Sequence, residues 1–160
     1  MEHIAYLALG SNLGNRASNL KNAIDNLTPQ MVLKKKSHVY ETAPWGFANQ
    51  PAFFNQVVRV ETYLSPEKLI RHLKRLETAQ GRVPNFQNGP RLIDMDILFF
   101  DDLVLDADTL KIPHPRLHER AFVLVPLNEI AHDLIHPVMK KSIGELLSIC
   151  DVSGITMVAK

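Results

Sequence analysis

The sequence predicts an α+β fold, an antiparallel sheet with helices packed against it, and three observations carry that expectation. Apolar runs rich in β-branched and aromatic residues recur at Ile4–Leu9, Phe53–Tyr63 and Leu92–Phe100. Two segments with apolar residues at helical spacing lie between them, Ala17–Leu27 and the stretch from Ser65 to Gly81. A further strand-like segment, Val32–Glu41, completes the order β-α-β-β-α-β. With 46% hydrophobic and 22% charged residues over 160 positions, one globular domain spanning 1–160 is expected.

Each element has a local reason. Ile4–Leu9 is a continuous apolar run closed by Gly10-Ser11-Asn12, as in a buried strand leaving into a turn. Leu20, Ala23, Ile24 and Leu27 form the stripe of the first helix, which Pro29 ends. Val32–Glu41 reads as one strand with a wet face. The segment from Thr42 to Pro51 holds Pro44, Gly46 and Pro51 and reads as an irregular connection. Phe53–Tyr63 is a long strand with Phe54, Val58 and Val60 on one face and Phe53, Asn55 and Val57 on the other. Ser65-Pro66 supplies an N-cap and a first-turn proline for the second helix, whose buried stripe is Leu69, Ile70, Leu73 and Leu76.

Leu92–Phe100 is the next strand, followed by a hairpin over Leu103–Ile112 that turns near Asp106–Asp108. A short helix over Glu119–Ile130 is expected to be interrupted at Pro126, and Ser142 with Glu145 has the spacing of a capping box for a last helix. This order is the split βαβ pattern of ferredoxin-like folds, with a hairpin and C-terminal helices added. It leaves the second sheet face open for a site.

Composition excludes several functions. Lys and Arg total 18 against 17 Asp and Glu, for a net charge of +1, and the only basic run is Lys34–Lys36. Nucleic-acid binding through phosphate neutralisation is not expected, although a few converging arginines could still hold a small anion. The lone Cys150 excludes an intramolecular disulfide framework and a cysteine-rich zinc site. No basic n-region with a long apolar stretch opens the chain, and the apolar run Ala121–Leu127 is far short of a membrane span. A cytoplasmic monomer without membrane contact is the expectation.

The strongest chemical signal is Gly89-Pro90-Arg91-Leu92-Ile93-Asp94-Met95-Asp96-Ile97. Strand alternation puts Asp94 and Asp96 on one face and Ile93, Met95, Ile97 and Phe99 on the other. Two neighbouring carboxylates on a rigid strand repel unless a cation neutralises them, and oxygen donors at this spacing suit Mg²⁺ sharing its shell with phosphates. A lone Asp-x-Asp is most often a solvated strand face. Arg91, placed after a rigid Gly-Pro, shifts the reading towards an anion met by metal and guanidinium together. Arg82, Arg116 and Arg120 could add charge to the same mouth.

His114 and His118 stand four apart, but Pro113 and Pro115 argue against a helix across them and no third ligand appears, so zinc is set aside. His114 fits better as a neutral hydrogen-bonding partner for an anion. Phe53 and Asn55 share a strand face, where a ring beside an amide suits a flat heteroaromatic ligand with amide-like edges, and Trp45 in its proline-rich loop could cover it. Taken alone, Phe53 and Trp45 read as ordinary core residues. The loop Gly10–Arg16 lacks the spacing of phosphate-binding loops and reads as turn chemistry after the first strand.

Taken together, Ala8–Gly14, Tyr40–Gly46, Gln50–Asn55, Gly89–Ile97 and Pro113-His114-Pro115 resemble, in order and rough spacing, the 6-hydroxymethyl-7,8-dihydropterin pyrophosphokinase family of folate biosynthesis. The resemblance covers roughly Ile4 to Pro137. It implies a ferredoxin-like αβα core and transfer of pyrophosphate from ATP, the co-substrate, to the pterin hydroxymethyl oxygen, with release of AMP. Asp94 and Asp96 would hold two Mg²⁺ ions, and Arg82 and Arg91 would contact the phosphates. Phe53 and Phe122 would sandwich the pterin, with Thr42, Ala43, Trp45 and Asn55 completing its pocket.

Glu77, Ile97, Lys111, His114 and Arg120 match nucleotide-side positions, and the stretches Gly46–Gln50 and Arg82–Gly89 would close over bound substrates. Pro84, Gln87 and Asn88 depart from the family pattern, which bears on the ATP contacts of that second loop. Two other classes fit part of the signal. One is a non-catalytic ferredoxin-like module binding a small ligand or RNA; the other is a Mg²⁺-dependent nucleotidyltransferase, which also uses paired aspartates.

Overall fold

A computed structural model describes residues 2–42, 51–81 and 91–159. The opening apolar run forms β1 (His3–Ser11), which pairs antiparallel with β4 (Phe53–Thr62) on one side and β5 (Asp94–Phe100) on the other. Next to β4 lie β2 (Met31–Lys36) and β3 (Val39–Thr42), and β8 (Ile155–Ala159) extends the sheet beyond β3. The order β5-β1-β4-β3-β8, with β2 also on β4, contains the ferredoxin-like arrangement expected from the sequence.

Helices α1 (Arg16–Asp25) and α2 (Pro66–Ala79) cover one face. Asn15 caps the first by accepting the Ser18 N–H at 3.1 Å, and Ser65 caps the second through the Lys68 N–H at 3.3 Å. Leu20, Ala23, Leu69 and Leu73 are buried against Ala5, Leu7, Leu9, Val58, Val60 and Met95. On the opposite face, α3 (Ala121–Ala131) and α4 (Ile143–Ser148) pack on Tyr6, Val57, Leu98 and Phe99. That face is therefore only partly open. The capping box of Ser142 and Glu145 is present, and the small hairpin is β6 (Leu105–Asp106) with β7 (Lys111–Ile112). Among the described residues no helix is long and apolar enough to cross a membrane.

Three expectations about individual elements are corrected. Val32–Glu41 is two strands, because at Ser37-His38 the chain leaves the regular ladder. The Ser37 hydroxyl accepts the Val57 N–H at 3.0 Å, and the His38 N–H goes to Glu129 at 3.0 Å. Phe99 does not share a face with Ile97. Tyr6 pairs with Phe99 and Leu7 with Ile97, leaving Leu98 as an extra residue, and this bulge turns both Leu98 and Phe99 towards α3.

Pro126 does not interrupt α3, which runs through it. The missing N–H forfeits the bond to the Phe122 carbonyl, a cost of about 3 kcal/mol that burial of Val123, Leu124, Leu127 and Ala131 offsets. A short 3₁₀ turn, Leu117–Glu119, precedes α3. Strand β8 had no counterpart in the sequence reading.

Glu129 fastens α3 to the break between β2 and β3. Its carboxylate accepts from the His38 backbone, lies 2.7 Å from His38 Nδ1 and accepts the Tyr40 hydroxyl at 2.8 Å. Burial and this carboxylate together push the Tyr40 phenol up to about 12. Burial acts to raise the Glu129 pKa, but the bonds from His38 and Tyr40 outweigh it and hold the group below its ordinary 4.5. A lowered folded-state pKa gives stability that is present above the unfolded value and lost as pH falls through the folded one. Glu129→Gln is expected to cost about 1–2 kcal/mol at pH 7. Thermal melts across pH should show the gap from wild type closing below 4.5.

Candidate active site

The site grows from the pairing of β5 with β1. Asp94 lies opposite Gly10 and Asp96 opposite Ala8, so both carboxylates share a sheet face on which their nearest cross-strand neighbours are small. Met95 and Ile97 point the other way into the core. A Cβ on Gly10 would stand 3.0 Å from Asn55 Oδ1 and 3.7 Å from Phe53 Cδ1, so glycine is what leaves the floor of the site open.

Above that floor is a cavity of about 140 Å³, the size of a small flat ring system. Thr42, Phe53, Asn55 and Phe122 border it together with Arg91, Asp94, Asp96, His114 and Arg120. Asn55 is buried and its amide donates to the Thr42 hydroxyl at 3.2 Å. Among the described residues this leaves the amide oxygen and a second N–H for a ligand edge. The structure thus brings a ring slot and the carboxylate pair into one space.

Cationic and hydrogen-bonding groups surround the acids. Arg91 is held by Asn12, whose side-chain oxygen accepts the Arg91 N–H at 2.7 Å while its own N–H donates to the Arg91 carbonyl at 2.9 Å. The Asn12 amide also donates to the Pro51 carbonyl at 3.0 Å. The turn after β1 therefore positions a site residue, a role the sequence does not show, since nothing in Gly10-Ser11-Asn12 marks the asparagine as buried.

His114 is anchored to β5 by its N–H on the Leu98 carbonyl. Burial is the main reason its pKa lies below 6.5; nearby Arg120, Arg116 and Lys74 add to this, against the opposing pull of Asp96. It is neutral at pH 7. Because Nδ1 accepts the Arg116 N–H at 3.2 Å, the ring proton sits on Nε2. Arg120 precedes α3 and supplies no capping oxygen, so the positive end of that helix opens beside the cavity.

Glu77, Ile97 and Lys111 do not line this cavity. Ile97 is buried in the core, and Lys111 pairs with Asp106. Glu77 is buried beneath β5, where it accepts the Met95 N–H at 2.6 Å and the Lys74 ammonium at 3.0 Å. Lys74, which the sequence reading did not single out, also lies 3.5 Å from Asp96 and borders a second groove with Arg71, Arg75, Thr78 and Thr109. Its signal was its place one helical turn before Glu77. Arg116 pairs with Glu119 at 3.5 Å and does not line the cavity. Ala43, Trp45 and Arg82, with both expected closing loops, lie outside the described residues.

The donor set fits a particular kind of metal. Among the described residues no group of three or more His, Cys, Asp or Glu side chains converges. Two carboxylates on one open strand face suit a hard divalent ion that keeps water and takes further oxygens from a substrate.

Fold and site together define a ferredoxin-like α+β protein with a small-molecule pocket on its sheet face, half ring slot and half charged cluster. Comparison with known proteins makes this specific. Residues 6–132 match the model of the 7,8-dihydro-6-hydroxymethylpterin-pyrophosphokinase (HPPK) family, and the chain belongs to that family. It is 44% identical over 140 residues to the 2-amino-4-hydroxy-6-hydroxymethyldihydropteridine pyrophosphokinase of Aquifex aeolicus, covering 88% of each chain. It is 41% identical over 156 residues to the protein of the same name from Methylorubrum extorquens, covering 96% of this chain and 98% of that one.

Longer relatives also match. The folic acid synthesis protein FOL1 of Dictyostelium discoideum is 42% identical over 137 residues, which are 86% of this chain and 21% of that protein. A solved HPPK-DHPS chain in complex with substrates superposes with a TM-score of 0.74 at 17% identity, over 92% of this chain and 43% of that chain. The chain thus spans about a fifth of FOL1 and less than half of that solved structure, whose likeness speaks to the fold.

Gly10→Ala tests the open floor. The added methyl would stand 3.0 Å from Asn55 Oδ1, tighter than an ordinary contact, so Asn55 must shift slightly and a loss of about 1–3 kcal/mol in stability is expected. A crystal structure of the variant should show the Asn55–Thr42 bond lengthened; an unmoved Asn55 with unchanged melting would show that the floor yields elsewhere.

Proposed function

We propose that the chain transfers pyrophosphate from ATP to the hydroxymethyl oxygen of 6-hydroxymethyl-7,8-dihydropterin, releasing AMP. Family membership and near-full-length relatives named pyrophosphokinases support the reaction class. The observation that carries the reading is that Asp94 and Asp96 border the same cavity as Phe53, Asn55 and Phe122. A triphosphate and a ring can then meet in one space.

In this reading Phe53 and Phe122 sandwich the pterin, whose edge bonds to Asn55 and Thr42, with Ala43 and Trp45 completing the pocket. Asp94 and Asp96 would hold two Mg²⁺ ions, which would supply positive charge to neutralise the phosphates and to acidify the attacking hydroxyl. Arg91, Arg82 and Arg120 grip phosphate oxygens, and the Nε2–H of His114 donates to another. The nucleotide runs past Lys74 into the groove between α2 and the hairpin, the elements that carry Glu77 and Lys111. In-line attack by the hydroxymethyl oxygen on the β-phosphorus breaks the bond to the α-phosphate oxygen, and AMP departs with that oxygen.

Mass spectrometry of a reaction containing ATP, Mg²⁺ and the hydroxymethylpterin should show AMP and a pterin diphosphate. ADP would indicate single phosphoryl transfer. Free pyrophosphate with a nucleotide-linked pterin would indicate a nucleotidyltransferase. A metal-independent binding module would show no turnover and would keep its ligand affinity in Asp94→Ala.

Asp96→Ala is expected to lower turnover by ~10³-fold or more while leaving pterin affinity near native. Arg91→Ala should lower kcat by ~10²–10³-fold with a small change in pterin Kd. Isothermal titration beside steady-state kinetics separates the two effects. An Arg91 effect confined to pterin affinity would overturn its phosphate role.

A further inference from the structure

Lys74 stands between the carboxylate pair and the outer groove, and the reaction proposed above gives its charge no task. Its ammonium lies 2.9 Å from the Met95 carbonyl, 3.0 Å from Glu77 Oε2 and 3.5 Å from Asp96 Oδ1. Three acceptors thus face its three donors. Glu77 is itself pinned, with a side chain only 2% exposed and an oxygen 2.6 Å from the Met95 amide. The ammonium cannot withdraw from Asp96 without leaving the buried Glu77 carboxylate and breaking a bond to the strand that carries the acids.

We propose that Lys74 is a built-in counter-cation of the Asp94–Asp96 pair, which weakens divalent-metal binding to the nucleotide-free chain so that metal loads together with the phosphates of the nucleotide. A cation entering at Asp96 must share that carboxylate with a fixed ammonium, and the repulsion is large at this distance in a partly desolvated site. Phosphate oxygens arriving with the metal reverse the balance, because their negative charge attracts both the ion and Lys74. The carboxylates stay in register while empty, and free metal does not fill the site in a geometry that excludes substrate. The inference rests on reading Asp94 and Asp96 as the metal-holding pair.

The test is Mn²⁺ binding, followed by electron paramagnetic resonance, to the folded chain with and without a non-hydrolysable ATP analogue. Lys74→Gln keeps a donor for Glu77 but removes the charge, and it is expected to bind Mn²⁺ about tenfold more tightly than wild type without nucleotide. The difference should shrink several-fold with the analogue present, and Lys74→Arg should behave as wild type. Asp96→Ala should abolish the binding. Circular dichroism verifies that each variant is folded, and Lys74→Arg keeps the comparison valid should the glutamine variant melt early.

If Mn²⁺ binds in an Asp96-dependent way but equally or more weakly in Lys74→Gln, this inference fails and the metal-pair reading stands. If no variant, nor wild type with the analogue, binds Mn²⁺ in an Asp96-dependent way, both fail.

Discussion

Everything in the site depends on the antiparallel register between β1 and β5. Ala5, Leu7 and Leu9 commit one face of β1 to the core beneath α1 and α2, so Ala8 and Gly10 must look the other way. The register then sets Asp96 against Ala8 and Asp94 against Gly10. A shift of one residue would bury both carboxylates and expose Met95 and Ile97, which the hydrophobic penalty forbids. The core side of β5, through Met95 and Ile97, thus decides which way the acids are aimed. The bulge at Leu98 lets the same strand serve a second purpose. Before it β5 alternates and presents its acids; after it Leu98 and Phe99 turn together to seat α3.

Buried polar groups convert this register into a site. Asn12 ties the turn after β1 to Arg91 and to Pro51, fastening the approaches to β4 and β5 together beside the cavity. Glu77 holds the β5 backbone from below and Lys74 beside it. The side chains of Asn12 and Glu77 are almost fully buried, where a polar group is tolerated only if its bonding is met inside the protein. Satisfying them fixes the geometry of their partners. A site built this way is stiff where the acids stand, as stabilisation of developing charge demands.

Much of this was legible from residue order, and the parts that were not share a physical cause. Strands, helices and their caps could be read because hydrophobic period and capping chemistry are local; Ser65-Pro66 and Ser142 with Glu145 fold as their spacing dictates. Asp94 and Asp96 were legible because strand alternation is local too. Phe99 was misplaced because a bulge is a property of the pair of strands, invisible in one of them. The break at Ser37 and His38 depends on Val57 and Glu129, distant in the chain, and the intact helix through Pro126 depends on packing against the sheet. Strand β8 carries the β-branched signal Ile155-Thr156 but is short, and its pairing partner β3 lies more than a hundred residues earlier. Asn12 and Lys74 are ordinary surface residue types whose roles exist only through what the fold brings against them.

The overall charge of +1 sets a last constraint on how such a protein can hold anions. A near-neutral chain has no long-range field to gather a triphosphate, so attraction must come from local convergence. The fold supplies it by letting Arg91, Arg120 and the uncapped start of α3 meet at one end of a half-covered sheet face. The same convergence explains why His114 is better neutral: another full charge among these cations would be opposed by each of them, whereas a neutral imidazole with its proton on Nε2 still offers a donor. The carboxylates temper the cations, and the cations keep the carboxylates from repelling one another outright. A site balanced in this way suits a ligand that brings charges of both signs, as the metal–nucleotide complex of the proposed reaction would.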